Sequence, residues 1–401
     1  MRGGIPSYRK MGIANVDILI AGGGPVGAAL ALALEGSGHS VVLAEARSDN
    51  AGVAQGTDSS GAQSRDARAI ALSHGSRLIL ERLHAWRGLP ATPIETIHIS
   101  QQGGFGRTLI RAADCKLPAL GYVANYDDLQ QSLLAVPCSA KRLFGARLTA
   151  FDGDTVLLQT PAGELAFAPR LTVFADGARI ADSRPEGAYS KDYGQTAVVA
   201  WVKTAQAHRG RAWERFTPEG PLALLPHGAR YALVWTAAPE RAARLCALSA
   251  PAFLAELHAA FGDRLGAFIE AGERAAFPLA LRYQRDRARK KSLAIGNAAQ
   301  TLHPVAGQGF NLGLRDAWEL GRLARDTPDP GSDGFCARFR RARALDRCAG
   351  IQFTDGLVGL FSNASPLLRF GRGAGLLALD LAPFARRFIA RRMIYGARAL
   401  P

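Results

Sequence analysis

Short apolar runs separated by glycine-rich turns mark both ends of the chain. Residues 15–21 form an apolar, β-branched run that predicts a buried parallel strand, residues 25–36 predict an Ala- and Leu-rich helix, and residues 40–46 predict a second strand. Near the other end, residues 292–295 predict a short strand and residues 312–325 predict the helix that follows it. A strand, a helix and a strand of these lengths indicate the parallel crossover of an α/β fold.

The middle of the chain alternates apolar and polar positions, as the strands of an antiparallel sheet do. Residues 197–204, 222–225 and 231–236 predict such strands, and Thr160-Pro-Ala-Gly163 predicts the turn of a β-hairpin. The sequence therefore predicts a dinucleotide-type fold at both ends of the chain with a sheet domain inserted into it. Further helices are predicted at 68–83, 127–134 and 251–261, and further strands at 94–100 and 171–175.

The first glycine turn, Gly22-Gly-Gly24-Pro25-Val-Gly27, directly follows a predicted strand and opens a predicted helix. In this context the pattern predicts a dinucleotide site. Gly22 permits a tight turn, Gly24 lets a pyrophosphate approach the backbone, and Gly27 lets the helix pack on the strand. Glu45 lies 18 residues past Gly27 at the end of the next strand, where we expect it to accept hydrogen bonds from the adenosine ribose. A glycine-rich turn without a ligand is the alternative.

The second glycine turn runs from Leu293 to Gly313 and again joins a predicted strand to a predicted helix. Such a turn brings the backbone close to a ligand, and the amides at the start of the new helix favour negative charge. The N1/O2 edge of a reduced flavin carries such charge. A purely structural turn is the alternative.

This second turn resembles the second FAD motif of the class A flavin monooxygenases, the group that includes para-hydroxybenzoate hydroxylase. Its sequence is more similar still to that of the ubiquinone-biosynthesis hydroxylases. Asn297 and Gln300 stand where most of those relatives carry Asp and His, and the pair resembles the branch called 2-polyprenyl-6-methoxyphenol hydroxylase. The likeness covers nearly the whole chain and includes the stretches 66–73, 214–226 and 354–363.

The resemblance implies an α/β fold, with a Rossmann-like FAD-binding domain, an inserted antiparallel-sheet substrate domain and a C-terminal helical segment. It implies an enzyme in which NAD(P)H docks transiently and reduces FAD, O2 adds at flavin C4a, and the hydroperoxide hydroxylates an aromatic ring. The substrate implied is a 2-polyprenyl-6-methoxyphenol of ubiquinone biosynthesis. Three alternatives stay open: a sibling hydroxylase acting on another ring position or phenol, a flavin reductase on the same fold, and a non-catalytic flavoprotein scaffold.

The predicted FAD contacts come from both glycine turns, from Arg68, whose guanidinium suits pyrophosphate or ribose, and from an Asp-Gly pair after the strand at 171–175. No proton-transfer residue and no metal site are assigned, and the helix at 127–134 receives no cofactor role. The residues expected beside the isoalloxazine ring are Pro304, Val305, Ala306 and Gly307. The predicted cofactor-binding residues are Gly22, Gly24, Pro25, Gly27, Glu45, Arg68, Asp176, Gly177, Asn297, Gly307, Gly309, Asn311 and Leu312.

The resemblance also suggests domain boundaries. The FAD-binding domain is expected at 13–92, 111–190 and 285–350, the substrate-covering sheet domain at 93–110 and 191–284, and a C-terminal helical, basic segment at 351–401.

Apolar side chains of the middle sheet are expected to keep water from the site, although half of them will be core because strands alternate faces. These side chains are Phe216, Leu222, Leu224, Leu225, Val234 and Trp235.

Composition indicates the compartment. With 401 residues, of which 48% are hydrophobic and 21% charged, the chain is typical of a soluble globular protein. Five cysteines without a Cys-x-x-Cys pair favour neither a disulfide framework nor a zinc site, and they indicate a reducing cytoplasm. Glycines interrupt the apolar run at 16–34, so we expect a strand and a helix there instead of a membrane span or signal peptide. The ordered pattern begins only near Ile13, which makes Met11 an alternative start.

The net charge of +15 is concentrated at the C-terminal end. Twelve Arg, three Asp and no Lys lie between 338 and 401. Because a polyprenyl phenol resides in a bilayer, the apolar stretch 373–384 and the four Arg that follow it are expected to contact the inner face of the cytoplasmic membrane or a partner protein of a quinone-biosynthesis complex. A buried tail helix and a solvated basic face are the alternatives, and nucleic acid is not an expected partner.

Overall fold

The computed structural model describes residues 12–48, 68–177, 188–284, 291–362 and 365–397. Met11, Asp66 and Asn363, which belong to the patterns above, lie outside these residues. The strands are β1 (Ile13–Ala21), β2 (Val41–Glu45), β3 (Ala69–Ser73), β4 (Thr92–Ile94), β5 (Thr96–Gln101), β6 (Arg107–Arg111), β7 (Gly121–Asn125), β8 (Lys141–Phe144), β9 (Arg147–Phe151), β10 (Val156–Thr160), β11 (Gly163–Phe174), β12 (Ala188–Thr204), β13 (Arg211–Thr217), β14 (Gly220–His227), β15 (Arg230–Ala237), β16 (Phe268–Ala271), β17 (Ala275–Gln284), β18 (Ser292–Ala294) and β19 (Gln300–Thr301). The helices are α1 (Pro25–Ala33), α2 (His74–Arg82), α3 (Tyr126–Ala135), α4 (Pro239–Ala247), α5 (Ala250–Phe261), α6 (Gln308–Arg325), α7 (Asp333–Phe361), α8 (Pro366–Leu381) and α9 (Pro383–Tyr395).

The first sheet has the strand order β8-β2-β1-β11-β10-β9, with β18 paired to β11. β1 is parallel to β2 and to β11, and α1 connects β1 to β2, as the sequence predicts. The largest buried core lies between this sheet and helices α1, α3, α6 and α7. Glycine permits close helix packing here, because a Cβ at Gly321 of α6 would be 2.5 Å from the Cβ of Ala33 in α1.

The second sheet has the order β19-β17-β12-β15-β14-β13-β5-β6, with β16 paired to β12. Its strands are antiparallel except for the pair β5 and β13. Helices α4 and α5 cover one face of this second sheet. A small third sheet has the strand order β3-β7-β4. The predicted hairpin turn joins β10 to β11. The α/β fold with an inserted antiparallel sheet is therefore confirmed, whereas the exact domain boundaries stay a prediction.

Two predicted helix boundaries are wrong. The helix expected at 68–83 is the strand β3 followed by α2, because Ala69–Ser73 pairs antiparallel with β7. Ser73 then begins α2 as its N-cap: its Oγ accepts a hydrogen bond from the Ser76 amide at 3.1 Å. α6 begins at Gln308 instead of at residue 312, because Gly307, with φ of +60°, is its N-cap. Residues 309–311 are therefore helical.

Helix α8 packs against the edge strand of the second sheet. The Thr108 hydroxyl in β6 donates a hydrogen bond of 2.6 Å to the carbonyl oxygen of Leu376 in α8. The main chains also meet, because a Cβ at Gly106 would overlap the carbonyl oxygen of Gly373. The C-terminal helical segment therefore belongs to the packed structure at this point.

Helix α9 contacts the FAD-binding end of the molecule. The Ser73 hydroxyl donates a hydrogen bond of 2.8 Å to the carbonyl oxygen of Ile394. The amide of Ala397, just past α9, donates to Asp346 of α7 at 2.9 Å. Of the helices in the described residues, none combines the length and the hydropathy that are needed to cross a membrane.

Candidate active site

A cavity of about 1210 Å³ lies at the carboxyl ends of β1, β2 and β11, beside the first residues of α1 and α6. Open α/β sheets bind ligands at this edge. The volume exceeds the roughly 300–1,000 Å³ of sites for drug-sized molecules, so the cavity has room for a dinucleotide. Nine of the residues predicted to bind FAD line it: Gly22, Gly24, Pro25, Glu45, Arg68, Asp176, Gly177, Asn297 and Gly309.

The first glycine turn contains close backbone approaches that other residues would prevent. Gly22 has φ of +113°, which L side chains rarely adopt, and a Cβ there would collide with the backbone of Asp176. A Cβ at Gly27 would overlap the carbonyl oxygen of Gly22, so only glycine lets α1 pack on the end of β1. A Cβ at Gly24 would be 3.1 Å from Tyr126 Oη and would narrow the cavity.

The electrostatics of the cavity favour an anion. Gly24 and Gly307 are the N-caps of α1 and α6, and neither helix has a side-chain cap or an acidic residue in its first turn. The N-terminal amides of both helices can therefore donate to a bound anion, which the helix dipoles also attract. The guanidinium-bearing residues Arg47, Arg68 and Arg147 line the same space.

The Glu45 carboxylate is held in place at the cavity wall. Its Oε2 accepts a hydrogen bond of 2.7 Å from the Gly23 amide, and its Oε1 accepts one of 2.8 Å from the Arg47 amide. Each carboxylate oxygen has a second lone pair, which can accept from a ribose hydroxyl. An anchored acceptor beside an anion-binding helix end fits the ribose and pyrophosphate of FAD.

Across the described residues, no group of three or more His, Cys, Asp and Glu side chains is placed to hold a metal ion.

Two predicted cofactor residues of the second turn are buried away from the cavity. Asn311 is 2% exposed; its Oδ1 accepts from the Ser73 amide at 2.8 Å, and its Nδ2 donates to the Gly307 carbonyl at 2.6 Å. The same amide group donates to the carbonyl oxygen of Ala71 in β3 and accepts from the hydroxyl of Ser76 in α2, so all of its hydrogen-bonding capacity is used. Leu312 is 1% exposed within a small apolar cluster. A contact of either residue with FAD would therefore involve the backbone, and it stays a prediction.

The turn before α6 is fixed by His303, which is 1% exposed. Burial lowers the pKa of His303 to about 4, so the imidazole is neutral at pH 7. Its Nδ1 accepts a hydrogen bond of 3.1 Å from the Val305 amide, which leaves the proton on Nε2. Val305 is buried in one cluster with Phe216, whereas Pro304 is exposed; the side chain of Ala306 lies outside what the structure describes. The position of this turn beside the isoalloxazine ring stays a prediction.

The cavity includes four residues that sequence reasoning passed over. Tyr126 and Gln130 of α3 line it, and Gln130 Nε2 donates to the Gly23 carbonyl at 3.3 Å. Their i, i+4 spacing, which places both on one helix face, was the available signal. Arg47 and Arg147 also line the cavity. Arg147 carries no sequence signal, because antiparallel β9 reaches this edge only in the folded sheet.

The second sheet divides the predicted apolar wall between its two faces. Three of its residues are buried under α4 and α5: Leu222, Leu224 and Trp235. The other three lie on the opposite face: Phe216, Leu225 and Val234. On that face the ring of Phe216 stacks on Phe361 of α7 with a centroid distance of 3.7 Å.

Comparisons of sequence identify relatives that match almost the whole chain. A family model described as an FAD binding domain matches residues 153–326. The chain is similar to the ubiquinone hydroxylase UbiL of Rhodospirillum rubrum, with 35% identity over 94% of this chain and 89% of that protein. It is similar to 3-demethoxyubiquinol 3-hydroxylase of Escherichia coli, with 31% identity over 92% of this chain and 96% of that protein. It is also similar to the human mitochondrial ubiquinone biosynthesis monooxygenase COQ6, with 27% identity over 97% of this chain and 95% of that protein.

Solved structures share the fold at lower identity. The p-nitrophenol 4-monooxygenase PnpA from Pseudomonas putida superposes with a TM-score of 0.73 at 15% identity, covering 96% of this chain and all of that chain. PqsL of Pseudomonas aeruginosa, described as a probable FAD-dependent monooxygenase, gives 0.68 at 20% identity, over 91% of this chain and all of that one. Because two sequence relatives match nearly the whole chain at more than 30% identity, this chain belongs to the ubiquinone-biosynthesis hydroxylases and is an FAD-dependent monooxygenase.

Proposed function

We propose that this enzyme hydroxylates the ring of a 2-polyprenyl-6-methoxyphenol in ubiquinone biosynthesis, with NAD(P)H as electron donor and O2 as oxygen source. The observation that carries the proposal is the position of the cavity. The second glycine turn borders it through Asn297 and Gly309, and Val305 of the same turn lies in one buried cluster with Phe216 of the second sheet. A dinucleotide whose pyrophosphate binds at the first turn would therefore extend toward the apolar face of the second sheet. The Asn297 and Gln300 pair supports the choice of branch.

The chemistry that FAD supplies when bound is electron transfer from NAD(P)H and activation of O2 for insertion into the ring. In our proposal the residues of this chain hold and shield that group. The amides of α1 and the Arg68 guanidinium bind the pyrophosphate, Glu45 binds the ribose, and the amides of α6 face the negative edge of the flavin ring. The apolar face of the second sheet excludes water from the reacting atoms.

Purified protein with bound FAD tests the substrate class. Flavin bleaching by NADH or NADPH is followed without oxygen, with and without a short-chain prenyl methoxyphenol. We expect the phenol to accelerate bleaching. In a separate reaction under 18O2, we expect one labelled oxygen atom in the product. A rate of NAD(P)H oxidation that does not change when the phenol is added, together with no labelled product, would refute the proposal and favour the scaffold alternative. Product NMR identifies the ring position that is hydroxylated, and labelled product from another phenol alone favours a sibling hydroxylase.

We also propose peripheral contact of α8 and α9 with an anionic bilayer. Large apolar side chains protrude from these helices: Leu367 is 81% exposed, Leu381 is 74% exposed and Phe384 is 79% exposed. Arg387 and Arg391 are exposed on α9, one turn apart. Apolar side chains enter the headgroup region while Arg pairs with anionic lipid, which is the chemistry of interfacial helices. A polyprenyl substrate would be available at such a surface.

Vesicle co-sedimentation tests this contact. Point substitutions are preferable to truncation, because α9 is hydrogen-bonded to Ser73. The double variant Leu381→Ser, Phe384→Ser should bind phosphatidylglycerol vesicles at least about tenfold more weakly than the parent, since each buried side chain contributes about 1.5–3 kcal/mol. The control Ile269→Ser removes an apolar side chain of 48% exposure on β16 and should bind normally. Unchanged binding of the double variant, or no binding by the parent, would contradict the proposal.

A further inference from the structure

A row of five half-buried side chains crosses one face of the second sheet. Glu214 in β13 pairs with Ile99 on one side and Ala223 on the other, and the row continues in register through Val234 to Val199. All five are partly exposed. We call these residues the Glu214 row. Its four other members are apolar.

The Glu214 row is partly exposed, whereas the next rows on either side are packed. Two residues after Glu214, Phe216 is buried in one cluster with Val305 of the second glycine turn. Two residues before it, Ala212 is buried in a cluster with Ala69 of β3. Ala69 also lines the cofactor cavity. The exposed row therefore lies between two packed rows, each of which shares a buried cluster with an element that borders the cofactor cavity.

The carboxyl group of Glu214 is unusual in this setting. Its Oε1 is buried and has no hydrogen-bond partner among the described residues. Burial raises the pKa of Glu214 to about 7, and no neighbouring charge contributes. Buried polar groups normally have partners because leaving them unpaired costs free energy. An unpaired carboxyl in an apolar row is therefore available for a ligand.

We propose that Glu214 is a catalytic residue, whose carboxylate accepts a hydrogen bond from the hydroxyl of the bound phenol and takes its proton as the ring is hydroxylated. The inference rests on the proposed function and deepens it. In this step the O–H bond of the phenol breaks and an O–H bond forms on Glu214. The electron pair stays on the phenol oxygen, and neither partner is oxidised or reduced. The ring gains electron density at the positions ortho and para to that oxygen.

The chemistry suits a carboxyl of this kind. An ordinary phenol has a pKa of about 10, as tyrosine does, so it is neutral at pH 7. A carboxyl whose pKa lies near the working pH is ionised often enough to act as a base and is a stronger base than an ordinary glutamate. The apolar neighbours Ile99 and Ala223 screen its charge poorly, so a carboxylate there interacts more strongly with a bound ligand than it would in water.

Two phenols distinguish a base from a structural residue. One is 2-methoxyphenol, and the other is a fluorinated 2-methoxyphenol that is already ionised at the assay pH and keeps an open ring position. In the FAD-loaded enzyme, Glu214→Gln should slow hydroxylation of the first phenol by about 100-fold or more, the usual contribution of a general base. On the ionised phenol, the variant should be within about threefold of the parent. FAD content and phenol-independent NAD(P)H oxidation should not change.

The matched control is Glu270→Gln in β16 of the same sheet, where the side chain is 50% exposed and pairs with Lys203 at 2.9 Å. It should match the parent on both phenols. If Glu214→Gln does not retain FAD, Glu214→Asp decides the question, since it should be slowed on 2-methoxyphenol and not on the ionised phenol. An equal effect on both phenols, or no effect on either, overturns the role of Glu214. A parent enzyme that hydroxylates neither phenol overturns the proposed function, and the role of Glu214 falls with it.

Discussion

Replacing Arg343 with Met would remove the central cation of a buried ion-pair network. Arg343 of α7 is 7% exposed, and its guanidinium donates to Asp316 of α6 at 2.7 Å and to Asp346 at 2.7 Å. Arg315 also pairs with Asp346 at 2.7 Å. Asp316 receives two further hydrogen bonds, both from neutral donors. Without Arg343, Asp346 would keep a cation, whereas Asp316, which is 1% exposed, would be a buried charge without one.

The expected loss follows from this difference. Removing one partner of a buried pair costs about 3–5 kcal/mol, because an uncompensated charge is left behind. For a chain of 401 residues, an unfolding entropy of about 0.8 kcal/mol/K converts a loss of about 4 kcal/mol into a fall in Tm of about 5 °C. Differential scanning calorimetry of the FAD-loaded protein measures this shift.

Two variants test the reasoning. The double variant Asp316→Asn, Arg343→Met removes both charges and keeps one acceptor oxygen at residue 316, so it should recover at least about half of the lost stability. Arg322→Met breaks an ion pair with Glu319 in which the arginine is 52% exposed, and it should cost less than about 1 kcal/mol. An Arg343→Met loss as small as that of Arg322→Met, or a double variant less stable than the single one, would refute the argument.

Three further outcomes follow from the site and its supports. Gly27→Ala places a Cβ on the Gly22 carbonyl oxygen, so we expect FAD affinity to fall at least about tenfold in a flavin fluorescence titration; a Kd within about twofold of the parent would contradict this. Glu45→Gln replaces two charge-assisted hydrogen bonds by weaker ones, and the same titration should show a Kd about tenfold higher. Burial pushes the pKa of Asp346 up, but its two Arg partners outweigh that effect and lower the pKa to about 2, so its stabilising effect is complete above pH 3.8 and is lost as the pH falls through 2. Between pH 5 and pH 2 the parent should lose on the order of 2 kcal/mol more than Asp346→Asn in urea unfolding.

The two glycine turns could be predicted because each solves a local backbone problem. Gly22 adopts φ of +113° and Gly307 adopts φ of +60°, conformations that favour glycine wherever they occur. A strand before the turn and a helix after it complete a pattern that one short segment contains. Glu45 was predictable for the same reason, since the parallel crossover fixes its distance along the chain from the first turn.

The environment of Glu214 could not be read from its own segment. The other members of its row, Ile99, Ala223, Val234 and Val199, come from four other strands, and only the strand order shows that they form one row. The segment 69–73 was predicted as helix because its pairing partner, β7, lies about fifty residues further along the chain. Contacts that are distant in sequence decided both cases, and local propensity carries no information about them.

The meeting of Gly106 and Gly373 determines how α8 is held. Backbone touches backbone at this point, and the Leu109 amide of β6 donates at 2.9 Å to the Asp380 carboxylate near the end of the same helix. A helix held at its middle and near its C-terminal end cannot roll about its long axis. Leu381 is therefore kept turned outward and cannot rotate into the interior, so its outward orientation is built into the packing of the helix.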